Sequence, residues 1–114
     1  MSRRTVLRKA AAMRGAKFRA CDYRDLTPLM GPGVVVYSDP PYAGTTAYAG
    51  REPFDTPAFW RTMTEWADAG ATVFVSEYAA PEGWESVWSK ERRMMLAKGD
   101  NLAARTEHLF MRVE

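Results

Sequence analysis

The chain has 114 residues, enough for one domain, and 46% of them are hydrophobic, with four Trp, five Tyr and five Phe; aromatics at that density exclude a disordered tail. A single cysteine, Cys21, and a single histidine, His108, exclude an internal disulfide, a cysteine cage for zinc and a histidine-rich metal centre, so no metal is expected. The formal net charge is only +2, yet up to Arg24 the basic residues Arg3, Arg4, Arg8, Lys9, Arg14, Lys17, Arg19 and Arg24 face one acid, Asp22, an asymmetry that suits phosphate contacts and equally suits a solvated basic helix face.

In chain order, Val6, Leu7, Ala10 and Met13 recur at helical spacing and predict a helix over 3–14, with Gly15 where a C-terminal cap belongs. Lys17 to Cys21 reads as a short extended stretch. Asp25-Leu26-Thr27-Pro28 and Gly31-Pro32-Gly33 read as turns and loop. Gly33-Val34-Val35-Val36-Tyr37-Ser38 is β-branched and continuously apolar, the pattern of a strand buried on both faces. It must stop at Asp39-Pro40-Pro41, because two prolines cannot continue a central strand. Small and polar residues make 43–55 a loop, punctuated by Tyr48 and Phe54.

Thr56-Pro57 resembles an N-cap followed by proline in the first turn. Phe59, Met63, Trp66 and Ala67 then fall on one helical face, and Gly70 closes the helix. Thr72-Val73-Phe74-Val75-Ser76 predicts a second buried strand. Two extended stretches, about Trp88–Leu96 and Glu107–Val113, predict a hairpin around Lys98-Gly99-Asp100-Asn101. Strand, helix and strand with buried runs imply an α/β domain with a parallel sheet. Ligands of such sheets bind at the carboxyl ends of the strands, where Asp39 and Glu77 fall. No apolar run approaches the roughly 20 residues of a membrane span, and no secretory signal pattern is present.

Asp39-Pro40-Pro41-Tyr42 is a rigid exit from the first buried strand. Both proline φ angles are fixed near −65°, and Asp39, preceding a proline, is held away from helical geometry. The corner offers a carboxylate and a backbone carbonyl as acceptors, has no N–H on two successive residues, and ends in an aromatic ring. An exocyclic amino group on a flat base fits that combination. Asp39 and the Pro40 carbonyl can take its two hydrogens while the ring stacks on Tyr42. Gripping both hydrogens favours a pyramidal nitrogen whose lone pair is free to attack, so alignment and electrostatic preorganisation carry the catalysis. Read alone, Asp39 is equally an Asp-Pro turn ending a strand.

Val35-Val36-Tyr37-Ser38-Asp39-Pro40-Pro41-Tyr42-Ala43 closely resembles the core of the Dam-like DNA adenine N6-methyltransferases, especially their phage branch. The resemblance extends to Phe18-Arg19-Ala20-Cys21-Asp22-Tyr23, Gly44-Thr45-Thr46, Phe54-Asp55, Phe59-Trp60, Val75-Ser76-Glu77-Tyr78 and Arg105-Thr106-Glu107, and so spans most of the chain. It implies a site-specific methyl transfer from S-adenosylmethionine to the amino group of a flipped adenine in double-stranded DNA. Asp39, Pro40, Pro41 and Tyr42 would be the catalytic residues. Asp22, Tyr23 and Asp39 would meet the cofactor, and Tyr48, Arg51 and Arg105 would meet DNA. The place implied is the cytoplasm of a bacterium or a phage-infected cell. Trp60, Trp66, Trp84 and Trp88 are expected to pack the core, and His108 to be structural.

The resemblance also implies parts that these residues do not supply. A glycine-containing stretch at the end of the family's first strand, an acidic residue after its second, and a target-recognition segment are absent from the sequence. The family's strands run 3-2-1-4-5-7-6 across the sheet. Residues 17–21 would be strand 3 and 33–38 strand 4, without the two strands that belong between them. The expectation is therefore a single incomplete domain, 1–114: a partial Rossmann-like methyltransferase sheet lacking its first two strands, completed by an amino-terminal half. The alternative is a catalytically silent nucleic-acid-binding remnant or a subunit of a split methyltransferase.

Overall fold

The computed structural model describes residues 2–42, 53–95 and 102–113. The first element is helix α1, Arg3–Ala12, which starts at an N-cap Ser2 whose hydroxyl accepts from the Thr5 N–H at 3.1 Å. Its apolar stripe is real, but no residue of α1 is buried, and Val6 and Leu7 face solvent. Residues 17–21 form no strand. All five are exposed, Phe18 among them at 81%. An extended segment needs a neighbour to take its N–H and C=O groups, and among the described residues no strand pairs with this one. The turn expected at 25–28 is instead a 3-10 helix, Tyr23–Leu29, capped by Asp22.

Strand β1, Val35–Ser38, leads to helix α2, Thr56–Asp68, and strand β2, Thr72–Glu77. The N-cap of α2 is Asp55 rather than Thr56: its carboxylate accepts from the Ala58 N–H at 3.0 Å, and proline follows within the first turn. At the far end Gly70 has φ +109°, and a Cβ there would meet the Pro32 ring at 2.9 Å, so both the conformation and the space call for glycine. Strands β3, Trp84–Met95, and β4, Leu102–Arg112, form a hairpin longer than expected; its tip at 98–101 lies outside the described residues.

The four strands make one mixed sheet in the order β1-β2-β4-β3. β1 and β2 are parallel, with Val35 opposite Thr72 and Ser38 opposite Val75, while β2 and β3 are each antiparallel to β4. The domain is thus a small α/β unit with a four-stranded sheet, one strand fewer than the sequence suggested. Among the described residues no helix is long and apolar enough to cross a membrane.

The core lies between α2 and the sheet. Phe59, Trp60, Met63 and Trp66 from the helix pack with Val73 and Val75 of β2, Trp84 of β3 and Phe110 of β4. Aromatic edges meet aromatic faces along this layer, Trp60 against Phe59, Trp84 and Phe110 at 5.6, 5.1 and 6.2 Å, which adds to area burial. Two of the buried indoles are tied by their N–H groups: Trp66 donates to Thr27 Oγ1 at 2.9 Å and Trp84 to Thr64 Oγ1 at 3.3 Å. Trp88 departs from the expected core set and is 55% exposed. An irregularity in the ladder between Ser86 and Trp88 inserts an extra residue there, which reverses the alternation set by Trp84. His108 is stacked on Phe110 at 5.1 Å with Nδ1 2.8 Å from Ser86 Oγ.

β1 is not buried on both faces. Val36 and Ser38 turn inward, but Val35 and Tyr37 are 70% and 64% exposed. A continuous apolar run becomes a fully buried strand only when it is covered on both faces. Here β2 pairs with one edge and α2 covers one face, while among the described residues no strand pairs with the other edge.

Candidate active site

β1 delivers Asp39-Pro40-Pro41-Tyr42 to the carboxyl end of the sheet. The ladder ends at the Ser38–Val75 pair, so Asp39 is the first residue past the last rung. Ser38 is held from the helix side, where its hydroxyl donates to Met63 Sδ at 3.3 Å. Asp39 and Pro41 are exposed and Pro40 and Tyr42 half-buried. The carboxylate therefore faces outward from a proline-stiffened corner, and the ring behind it turns back toward the sheet.

Tyr42 is the best-anchored member of the corner. Its phenol forms a hydrogen bond with Ser76 Oγ, at the end of β2, and donates to Glu107 Oε1 on β4 at 2.7 Å. Glu107 Oε2 is in turn gripped by Arg92 Nε of β3 at 2.6 Å. Edge to face, the Tyr42 ring meets Tyr78 with centroids 4.5 Å apart and planes at 89°. The Arg105 guanidinium lies 5.1 Å from the Tyr78 ring centroid, a cation–π contact. Burial, then the bond to Glu107, pushes the Tyr42 phenol well above the ordinary tyrosine range, so it remains a donor at neutral pH.

Glu77, also at the end of β2, is 1% exposed, and its Oε1 accepts from the Tyr78 N–H at 2.8 Å. A buried carboxylate at a strand end carries its charge only with such donors around it.

Asp22 and Tyr23 belong to a different group of contacts, on the α2 side. Asp22 caps the 3-10 helix and is locked to Arg24, which donates from Nη2 at 2.6 Å and from Nε and its backbone N–H at 2.9 Å each. The guanidinium first, and the backbone N–H second, hold the Asp22 carboxyl at about 2. The Tyr23 ring packs among Phe54, Phe59 and Trp66 at 5.8–6.3 Å.

The structure thus brings Arg105 into the Tyr42 cluster through Tyr78, and leaves Asp22 and Tyr23 with the helix. Tyr48 and Arg51 lie outside the described residues. Ser76, Tyr78, Arg92 and Glu107 were given no role from the sequence. Ser76 and Tyr78 carried a usable signal, since both stand at the carboxyl end of a buried parallel strand. Glu107 stood in a motif of the resemblance without a role, and Arg92 carried no signal, because their meeting depends on the β3–β4 register, in which Glu107 pairs with Lys90 and reaches Arg92 on the diagonal.

Chemically, the corner supplies an exposed carboxylate, a proline carbonyl and a ring whose position is fixed from behind. Asp39 is exposed, the Asp22 carboxylate is engaged by Arg24 and the Tyr23 ring packs against α2. A separate cleft of about 610 Å³ lies between the start of α2 and residues 79–82, lined mainly by apolar groups including Trp60 and Pro81. Among the described residues no group of three or more His, Cys, Asp or Glu could hold a metal ion. No protein-family model matches the chain, and a search among curated proteins returns none that matches it.

Proposed function

We propose that the chain is the catalytic segment of a DNA adenine N6-methyltransferase, using S-adenosylmethionine as methyl donor and adenine in duplex DNA as acceptor. The observation that carries this reading is the acceptor-rich corner Asp39–Tyr42 at the carboxyl end of β1, with the Tyr42 ring fixed by the ends of the neighbouring strands. In this reading Asp39 and the Pro40 carbonyl hold the amino group of a flipped base, and Tyr42 lies against its ring. S-adenosylmethionine would supply the electrophilic methyl group. Arg105, beside Tyr78, is placed to meet a phosphate near the flipped nucleotide.

The sheet gives independent support. Its order β1-β2-β4-β3, with the first pair parallel and β4 antiparallel, is compatible with the 4-5-7-6 portion of the strand order that the resemblance implies. In that frame β1 would be strand 4, whose outer neighbour is strand 1. Among the described residues no strand pairs with the outer edge of β1, and Val35 and Tyr37 are exposed. A complementary amino-terminal methyltransferase half pairing there would cover that surface and close the cofactor side of the site.

A second reading is favoured by α1, in which Arg3, Arg4, Arg8 and Lys9 stand without an acid and nothing is buried. Such a helix suits a nucleic-acid-binding arm on a chain without turnover.

Transfer of labelled methyl groups from S-adenosylmethionine to unmethylated DNA tests the proposal, with the DNA digested to nucleosides. It is run with the chain alone and with an amino-terminal segment that carries the first three family strands. N6-methyladenine that falls by roughly two orders of magnitude in Asp39→Ala is the expected result. Binding to DNA with no label in adenine under either condition overturns the enzyme reading and leaves the binding arm.

A further inference from the structure

We infer that Glu107, braced by Arg92, is a positioning residue: it fixes the plane of the Tyr42 ring at the mouth of the site through the phenol. This inference rests on the proposed reading of the Asp39–Tyr42 corner as the place where a base is held.

The corner cannot orient the ring by itself. Pro40 and Pro41 fix their own φ angles, but the backbone after Pro41 and both side-chain torsions of Tyr42 remain to be set. They are set from far along the chain. The phenol meets Ser76, 34 residues away, and Glu107, 65 residues away, so three strands converge on one oxygen. Glu107 is itself constrained, with one carboxylate oxygen on Tyr42 and the other on Arg92 at 2.6 Å. Its side chain is 19% exposed, whereas that of Arg92 is 61% exposed, so the brace reaches inward from the surface of β3. Charge-assisted bonds of this kind are shorter and stronger than neutral ones. Tyr78 then stops rotation of the ring from the side, at 4.5 Å and 89°.

Packing alone would not call for this arrangement. A phenylalanine would fill the same space against Tyr78, whereas the phenol has been given two polar partners. Restricting the ring in advance removes an ordering cost that reaching the aligned transition state would otherwise bear. The raised pKa of the phenol agrees with the geometry, because an ionised Tyr42 would face the Glu107 carboxylate without a proton to share.

Two measurements on Tyr42→Phe, Glu107→Ala and the double variant test the inference. The first does not depend on turnover. In protein labelled with ¹³C at tyrosine Cζ, the resonance missing from Tyr42→Phe belongs to Tyr42. In Glu107→Ala its ionisation should move down toward the ordinary tyrosine value of about 10. An unmoved resonance and titration in the folded variant overturns the inference. Arg92→Gln, a change at an exposed side chain, repeats the test if Glu107→Ala does not fold. The second measurement is methyl transfer. Each single variant should lose roughly tenfold to a hundredfold in kcat with KM for DNA little changed, and the double variant no more than the worse single one. Losses that multiply overturn the positioning role and leave the base-holding reading intact. Asp39→Ala with wild-type activity would instead overturn the base-holding reading, whatever the Tyr42 resonance does.

Discussion

Two valines on neighbouring strands separate a covered position from an open one. Val75 on β2 is 0% exposed and lies within the cluster of α2, β3 and β4 side chains, whereas Val35 on β1 is 70% exposed. Truncating Val75 to alanine removes two methyl groups at about 0.8 kcal/mol each, and the cavity left behind raises the loss to about 1.5–3 kcal/mol. The same change at Val35 should stay within about 0.5 kcal/mol, the range of surface substitutions. Urea unfolding followed by far-ultraviolet circular dichroism reads both. With m on the order of 1.5 kcal/mol/M and unchanged by either substitution, the midpoint should drop by about 1–2 M for Val75→Ala and by less than about 0.4 M for Val35→Ala. A Val35→Ala loss as large as that of Val75→Ala would refute the reasoning. It would mean that the outer face of β1 is covered in solution, and the surface offered to a complementary half would not be open. A protein-concentration series would then show whether a second copy of the chain provides the cover.

Thr27→Val keeps the shape of the side chain but leaves the buried Trp66 indole N–H without its acceptor; a loss of about 1–3 kcal/mol in the same unfolding assay is expected, and an unchanged midpoint would mean that the 3-10 helix is not tied to α2 through this bond. The Asp22 carboxyl, held down by Arg24, should favour the folded state at pH values above the unfolded carboxylate range of about 4, and lose that effect as pH falls toward its folded value of about 2. The effect on stability should be small because both side chains are exposed and screened. Carboxyl ¹³C titration reads it directly: Arg24→Ala should bring the Asp22 midpoint up toward the ordinary range, and a midpoint that stays near 2 would show that the backbone N–H alone holds it down.

Elements set by local chemistry were legible in the sequence. Gly70 ends α2 because only a residue without a side chain accepts φ +109° against the Pro32 ring, and that requirement shows in the helix periodicity that precedes it. The prolines after Asp39 end β1 for reasons internal to those residues. The start of α2 was misplaced by one residue, since Asp55 and Thr56 are both good caps and only the carboxylate reaches the Ala58 N–H. The candidate site was legible only as its motif. Asp39 and Tyr42 announce themselves, but what fixes Tyr42 lies 34 and 65 residues away, in a hairpin register that no local pattern encodes.

The misreadings at 17–21 and 33–38 share one physical cause, and it bears on function. Apolar patterning states how much cover a segment requires, while the structure shows how much it receives, and the two disagree on one part of the chain. Of the large hydrophobic side chains exposed among the residues whose side chains are described (2–42, 53–92 and 105–113), Val6, Leu7, Met13, Phe18, Leu29, Val35 and Tyr37 precede Asp39, and Val87, Trp88 and Val113 follow it. After Phe54 the expected inward residues are mostly satisfied, by α2 against β2 and by the β3–β4 hairpin. Before Asp39 they are mostly not, and that is the stretch that also carries Asp22, Tyr23 and the open edge of β1. Apolar side chains scattered singly over a surface need no explanation. Their concentration on one stretch of sequence, which ends in a strand that has one neighbour among the described residues, suits the complement proposed above. If the proposed complement pairs there, one contact would cover Val35 and Tyr37 and enclose the cofactor side of the Asp39 corner. Stability and turnover should then rise together on adding it, whereas a chain that only binds nucleic acid would gain neither.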